Sequence, residues 1–133
     1  KIGRHPRRRK IFTVIDSTGR DSRTSFQLEK YMPPMSLVKL HPETGRTHQI
    51  RVHLKSIGHP IFRDEAYGGG IKNAKSFHSK YTHLINRLAK AISRVSLHAH
   101  KIEIIHPATS EIMSFEAPLP ADFKTALAIL KHE

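Results

Sequence analysis

The stretch from His41 to Leu54 holds the residues best suited to chemistry. It reads His-Pro-Glu-Thr-Gly-Arg-Thr-His-Gln-Ile-Arg-Val-His-Leu, with Arg46 before a predicted helix and Arg51 in its first turns. Arginine stays protonated and presents a planar fork of donors, so such a platform can hold an anion. The anion could be a phosphate or an enzyme carboxylate. A solvated arginine on an amphipathic helix is the simplest alternative.

Eleven histidines make a metal centre worth testing. The spacing of His98 and His100 places both on one face of a predicted strand, whereas His48 and His53 fall on different sides of a helix. No carboxylate pattern completes a set, and zinc requires three or four convergent ligands. We therefore predict no metal, and a histidine-metal hydrolase stays an alternative that stoichiometric zinc would reveal.

Other catalytic motifs are weak in this sequence. The glycines at 68–70 precede no Lys-Ser or Lys-Thr pair, so a phosphate-binding P-loop is not predicted. The chain has no cysteine nucleophile, and no serine stands in a nucleophile-elbow context.

A short helix must position the arginine platform. Thr47 is a good N-cap residue, and Gly58 stands where a glycine commonly ends a helix. Between them apolar residues recur at helical spacing, at Ile50, Leu54 and Ile57. A second stripe of the same helix is basic: His48, Arg51 and Lys55. We therefore predict a helix with one face in the core and another that is cationic.

The flanking segments alternate between strand and helix patterns. The predicted strands are Ile11–Ile15, Thr24–Tyr31, Ser36–His41, Val95–Ile105 with a bulge near His100 and Lys101, and Glu111–Glu116. The further predicted helices are Ala74–Ile92 and Ala121–Lys131. This order predicts an α+β fold with a mainly antiparallel sheet.

The charge balance favours a polyanionic partner. Twenty-three Lys and Arg stand against eleven Asp and Glu, a net charge of +12. Such an excess attracts nucleic acid first and an anionic membrane surface second. No apolar run reaches the roughly 20 residues that span a bilayer, and no signal peptide is evident. The absence of cysteine fits a reducing compartment, so a cytoplasmic protein without a membrane partner is expected.

Several separated motifs resemble RluA-type RNA pseudouridine synthases of the ribosomal large subunit type. The segment Thr44–Leu54, followed by Ile57–Ile61, is similar to the signature block of that family. The similarity continues in order through Asp64, Tyr67-Gly68, Leu97–Ala99, His106-Pro107 and Phe115–Phe123, and includes the arginine-rich opening. The segment Lys72–Ser93 is the least diagnostic. Arg63 departs from the pattern, because the family usually has glycine before the aspartate.

The resemblance implies an enzyme that isomerises uridine to pseudouridine in RNA without metal or organic cofactor. It implies a domain with a bent antiparallel sheet and flanking helices, of which residues 1–133 would be the C-terminal part. The essential aspartate of the family stands in an Arg-Leu-Asp motif, and none of Asp16, Asp21, Asp64 and Asp122 has those neighbours. The catalytic aspartate is therefore expected upstream of Lys1, and this chain alone is expected to be inactive.

The resemblance also assigns site residues. Arg51 matches the arginine that pairs with the catalytic aspartate, and Leu97 matches an apolar residue near the target base, although it could equally be a core leucine. Arg46 and His48 are candidate substrate-binding residues. The expected RNA phosphate contacts are Arg4, Arg7, Arg8, Arg9, Lys10 and Lys55. Ribosomal RNA is the favoured partner and transfer RNA the second, while a non-catalytic basic RNA-binding module is the alternative function.

Overall fold

The computed structural model describes residues 1–8, 10–16, 18–77 and 79–132, with Phe77 described in its backbone only. The strands are β1 Ile2–Arg4, β2 Phe12–Val14, β3 Thr24–Met32, β4 Met35–Pro42, β5 Lys101–Ile105 and β6 Ile112–Glu116. The helices are α1 Gln49–Ser56, α2 Ile71–Phe77, α3 Thr82–Ala91 and α4 Ala121–Lys131. Short 3-10 turns cover Glu65–Tyr67 and Ser79–Tyr81.

All pairing between the named strands is antiparallel, as predicted. The strands form three separate two-stranded sheets, β1-β2, β3-β4 and β5-β6. The α+β class is confirmed, and the expected antiparallel sheet takes the form of these three pairs. The predicted bulge near His100 and Lys101 is wrong, because β5 pairs with β6 from Lys101 onward in an unbroken register. A register shift occurs instead in β3, between Leu28 and Lys30. The strand expected from Val95 begins only at Lys101.

The predicted helix Ala74–Ile92 is divided into α2, a 3-10 turn and α3. The Thr82 hydroxyl donates to the carbonyl of Ser79 at 2.7 Å, and such local side-chain bonds compete with a continuous helical ladder. The apolar stripe is nevertheless real. Its buried members are Leu84, Ile85, Leu88 and Ile92.

The predicted Thr47 N-cap of α1 is wrong. The side chain that bonds the residues before the helix is that of Gln49, the first residue of α1. His48 takes the N-cap position in the left-handed region, with φ 55°, and makes no side-chain cap. Gln49 is buried, and its Oε1 accepts from the Thr44 hydroxyl at 2.7 Å and from the Arg46 N–H at 3.1 Å. The predicted glycine at the other end is confirmed. Gly58 has φ 81°, and its N–H donates to the Lys55 carbonyl.

The turn between residues 61 and 70 would suit a glycine at the position of Arg63. Arg63 has φ 66°, a left-handed conformation that costs residues with a Cβ more than glycine. Its backbone N–H donates to the Gly69 carbonyl at 2.7 Å. Its guanidinium donates to the carbonyls of Ile92 and Ser93, both at 3.2 Å. The turn is therefore kept, and the arginine side chain ties it to the end of α3.

The core beside α1 is small. Four buried residues form it, Ile2, Ile11, Val52 and Tyr67, and Phe12 packs against them. Elsewhere, every residue of β5 and β6 is exposed, including Ile105 and Ile112. That hairpin therefore depends on its backbone ladder and cross-strand pairs rather than on burial.

Candidate active site

Arg51 forms a two-point ion pair with a buried aspartate. Its Nε and Nη2 donate to Oδ2 and Oδ1 of Asp64, each at 2.8 Å. The Asp64 side chain is only 1% exposed and that of Arg51 is 22% exposed. The hydrogen bond with Asp64 raises the pKa of Arg51 above its ordinary value, which keeps the guanidinium charged. Arg51 therefore does not face bulk solvent without a partner.

Tyr67 lies beneath this ion pair and is fully buried. The guanidinium carbon of Arg51 is 4.6 Å from the centre of the Tyr67 ring, a cation–π distance. The Tyr67 hydroxyl accepts the Phe12 backbone N–H at 2.9 Å and is hydrogen-bonded to Nδ1 of His48 at 2.8 Å. One side chain thus connects β2, the start of α1 and the turn after Ile61.

His48 is held between aromatic rings. Its ring meets those of Phe12 and Tyr67 edge to face, with centroid distances of 5.7 and 5.5 Å. Desolvation lowers the pKa of His48, the charge of Arg51 lowers it further, and the charge of Asp64 opposes them. His48 is therefore a neutral packing and hydrogen-bonding residue near pH 7, and its predicted contact with substrate stays a prediction.

A cavity of about 430 Å³ lies beside Arg51. Its lining residues are Ile50, Arg51, Val95, Leu97, His98 and Ala99. The fold thus brings together Arg51 and Leu97, two residues that the sequence placed at the reaction centre. A largely apolar concavity with one fixed cation is the usual form of a small-ligand site, and its volume falls in the usual range. Arg46 and His48 do not line this cavity.

Arg46 lies on the connection between β4 and α1. Its Nε donates to the backbone carbonyl of Asp21 at 3.1 Å, and the side chain is exposed. Nearby, His53 is hydrogen-bonded to the hydroxyls of Ser22 and Thr24 at 3.1 and 2.9 Å. Burial lowers the pKa of His53. The structure therefore gives Arg46 a structural contact, and its role with substrate stays a prediction.

The candidate phosphate contacts cluster on the β1-β2 connection. Nδ1 of His5 accepts the backbone N–H groups of Arg7 and Arg8 at 3.2 and 3.1 Å, which fixes the turn. Arg7, Arg8 and Lys10 are exposed, whereas Arg9 lies outside the described residues. The guanidinium of Arg4 is 5.3 Å from the centre of the Phe12 ring.

Lys55, the last predicted phosphate contact, is exposed on α1, with its ammonium 5.8 Å from the centre of the Tyr67 ring. It therefore shares that ring with Arg51.

The two histidines considered as metal ligands act as hydrogen-bond donors. Nε2 of His98 and Nδ1 of His100 both contact the carbonyl of Ala117, at 3.2 and 2.8 Å. Within residues 1–8, 10–16, 18–77 and 79–132, no group of three or more His, Cys, Asp or Glu side chains could hold a metal ion. In the same described part of the chain, no helix is long and apolar enough to cross a membrane.

Comparison with known proteins agrees with the resemblance. Residues 1–56 match the family described as RNA pseudouridylate synthase. An uncharacterised RNA pseudouridine synthase of Bacillus subtilis is 41% identical over 92% of this chain and 35% of its own length. A ribosomal large subunit pseudouridine synthase C of Haemophilus ducreyi is 42% identical over 90% of this chain and 34% of its own length. A ribosomal large subunit pseudouridine synthase D of Pasteurella multocida is 34% identical over 99% of this chain and 39% of its own length.

The chain is therefore similar to RNA pseudouridine synthases over most of its length, and its residues 1–56 match the model of that family. Ribosomal large subunit enzymes of types C and D are among these relatives. It spans only about a third to two fifths of the length of the curated relatives it matches.

Asp64 and Tyr67 belong to the motifs of the resemblance, but no role was predicted for either residue. The available signal was an aspartate and a tyrosine three residues apart, close after a helix that carries a fixed arginine.

Proposed function

We propose that this chain supplies one wall of the active site of an enzyme that isomerises uridine to pseudouridine in RNA, with ribosomal large subunit RNA the favoured substrate and transfer RNA the second. The observation that carries the proposal is the guanidinium of Arg51, fixed on α1 and lining the same cavity as Leu97. The family relationship and the net charge of +12 support it.

The reaction rearranges atoms without net gain or loss. The bond from ribose C1′ to uracil N1 breaks, the base turns, and C1′ bonds to C5. The proton on C5 is lost and N1 gains one, so the atoms balance. Because positive charge develops at C1′ as its bond to N1 breaks, a group that stabilises charge beside the ribose is required. In this family that group is an aspartate.

Arg51 is suited to hold such a carboxylate in its ionised form. A cation within about 4–6 Å lowers the pKa of a carboxyl by roughly 1–3 units. At an effective dielectric near 20 the attraction is about 4 kcal/mol at 4 Å, before desolvation is subtracted. Asp64 already neutralises part of this field, so the effect of Arg51 on a second carboxylate falls towards the lower end of that range.

Leu97 and its neighbours are suited to hold an uncharged base. Ile50, Val95 and Leu97 give the cavity an apolar wall. Extruding a uridine from a stacked RNA costs a few kcal/mol, and burial of the base against such a wall offsets part of that cost. The exposed cations on the β1-β2 connection would hold the phosphate backbone of the RNA while the uridine is extruded.

The acid itself is proposed to lie outside this sequence, so that residues 1–133 are the C-terminal part of one catalytic domain. Asp64 is a poor candidate for that acid, because its side chain is only 1% exposed and it does not stand in an Arg-Leu-Asp motif. We therefore expect this chain alone to bind RNA weakly and to form no pseudouridine, in a cytoplasmic enzyme that uses no cofactor.

A non-catalytic basic RNA-binding module is the second candidate function. The observation that favours it is the absence of an Arg-Leu-Asp motif in this sequence. The two candidates differ at the gene: an aspartate in that motif, encoded in frame before Lys1, supports the enzyme.

The deciding experiment measures pseudouridine in ribosomal RNA transcripts by chemical labelling and primer extension. The transcripts are incubated with the 133-residue chain, with the protein encoded by the complete reading frame, and with its Arg51→Lys variant. We expect product only from the complete protein, and a severe loss with the variant, because lysine has no fork. No product from the complete protein on ribosomal or transfer RNA would contradict the proposal. Product from the short chain alone would show that the acid lies within it.

A further inference from the structure

The guanidinium of Arg51 is held on an edge and on a face by residues of one short segment. Asp64 occupies the edge formed by Nε and Nη2, and the Tyr67 ring lies 4.6 Å from the guanidinium carbon. Both partners are almost completely removed from solvent. An arginine held by two buried partners has lost most of the freedom that its long side chain would otherwise keep.

The segment that carries the two partners is itself tightly closed. The Asp64 carbonyl accepts the N–H groups of Tyr67 and Gly69, at 3.1 and 2.8 Å, and the Asp64 N–H donates to Ile61 at 3.0 Å. A Cβ on Gly69 would overlap the Ile61 carbonyl, so only glycine fits there. The relative placement of the Asp64 carboxylate and the Tyr67 ring is therefore fixed by backbone bonds.

The donors of Arg51 that remain define what the site can bind. A guanidinium has five N–H groups, and Asp64 takes one on Nε and one on Nη2. Within the described part of the chain, no acceptor is bonded to Nη1 or to the second N–H of Nη2. These two nitrogens form a parallel pair of donors, which fits a second carboxylate in two-point fashion.

We infer that Asp64 and Tyr67 are positioning residues, which orient Arg51 so that its Nη1–Nη2 edge is the part offered to a second carboxylate. This inference rests on the proposed function for the identity of that carboxylate as the catalytic acid. Asp64 does not touch the substrate; it acts through Arg51.

The first test measures the bond between Arg51 and Asp64 directly in the 133-residue chain. In ¹⁵N-arginine spectra, the Nε–H of Arg51, assigned by its loss in Arg51→Lys, should exchange with water at least about tenfold more slowly than that of exposed Arg7. Asp64→Asn should abolish this protection. Tyr67→Phe, which keeps the ring and removes the hydroxyl, should retain it. Fast exchange in the unsubstituted chain, or protection retained in Asp64→Asn, would overturn the inference.

A second measurement needs no substitution at the buried pair, so it stands even if Asp64→Asn does not fold. Acetate, a probe for the second carboxylate, is titrated into the unsubstituted chain. We expect a saturable shift of the Arg51 Nη signals with the Nε–H signal unchanged. A shift of Nε–H would show that acetate displaces Asp64, and the absence of a saturable Nη shift would show that the edge is not available. Either result overturns the inference.

The third test uses the protein encoded by the complete reading frame, under single-turnover conditions. Asp64→Asn should slow pseudouridine formation by about 10²-fold through misplacement of Arg51, with RNA affinity within about twofold of wild type. The matched control is Asp21→Asn. The carboxylate of Asp21 is exposed and makes no hydrogen bond or ion pair with the described residues, so the rate of this variant should not change. A wild-type rate in Asp64→Asn would contradict the positioning role. A wild-type rate in Arg51→Lys would instead show that Arg51 has no role in the proposed reaction. The positioning of Arg51 by Asp64 would then be decided by the exchange and acetate measurements.

Discussion

Nε of Arg63 donates to the carbonyl of Ile92 at 3.2 Å, across the boundary between the turn after Ile61 and the end of α3. The same guanidinium donates to the carbonyl of Ser93, also at 3.2 Å, so the two carbonyls that directly follow α3 receive charge-assisted bonds. Meanwhile the Arg63 backbone has a positive φ. One residue therefore combines an unfavourable backbone conformation with a favourable side-chain cap.

These two contributions can be separated by substitution. Arg63→Ala loses the cap but keeps the strained backbone, and we expect it to reduce the free energy of unfolding by about 2 kcal/mol. Arg63→Gly loses the cap and relieves the strain, so it should be about 1 kcal/mol more stable than Arg63→Ala. Urea unfolding followed by circular dichroism measures both. Equal stability of the two variants would show that the left-handed conformation is not strained.

The buried pair of Arg51 and Asp64 predicts an unusual order of stabilities. Arg51→Met leaves a buried carboxylate without its partner and should cost about 3 kcal/mol, at the low end for such pairs because Arg51 is partly exposed. The double variant Arg51→Met with Asp64→Leu removes the unpaired charge and should be more stable than Arg51→Met alone. A double variant no more stable than the single one would mean that the Asp64 charge is solvated despite its burial.

The exposed cations of the β1-β2 connection predict a salt effect. Replacing exposed Arg7 and Arg8 by Gln, together with Arg9, which the sequence places in the same basic run, should weaken RNA binding. Each lost phosphate contact should reduce the slope of log K against log salt by about 0.7 on single strands. Exposed Lys131, at the far end of α4, is the control position. Binding is measured by fluorescence anisotropy from low to moderate salt. If the triple variant kept the wild-type slope, these arginines would not contact phosphate.

Local patterns predicted some elements well. The bounds of α4 are those predicted, and α1 begins two residues after the expected cap. In both cases the apolar spacing indicates the helix correctly, although the predicted cap residue of α1 is wrong. The division of the predicted helix at Ser79–Tyr81 could not be read from spacing, since the apolar stripe continues across it. Similarly, the partner of Arg51 depends on a turn that brings Asp64 back to α1, and periodicity carries no information about such a contact.

The sequence likewise predicted only some of the residues at the candidate site. Arg51 and Leu97 were named from motifs, and the fold places both at one cavity. Arg46 and His48 are close to Arg51 in the sequence but do not line the cavity. His48 precedes the first turn of α1 and has a left-handed backbone conformation, so its side chain does not continue the helical stripe that carries Arg51.

His48 and His53 also predict how stability depends on pH. Burial lowers the pKa of both rings in the folded chain, so between the folded and unfolded pKa values the unfolded chain binds more protons. The contribution of these two residues to the free energy of unfolding is therefore at its full value above about pH 6.5. It is lost as the pH falls towards the pKa values of the folded chain. His48→Asn removes one titrating group and keeps a residue that tolerates the left-handed conformation.

That variant should lose less stability than wild type when urea unfolding is compared at pH 8 and pH 5.5. The substitution of exposed His83 by Asn, on α3, should leave the wild-type difference intact. The neighbouring charges act in opposite directions on His48, since Arg51 lowers its pKa and Asp64 raises it. Asp64→Asn should therefore steepen the loss of stability on acidification, because it removes the one neighbouring charge that favours protonated His48. A shallower loss in Asp64→Asn would mean that His48 is not the group that titrates.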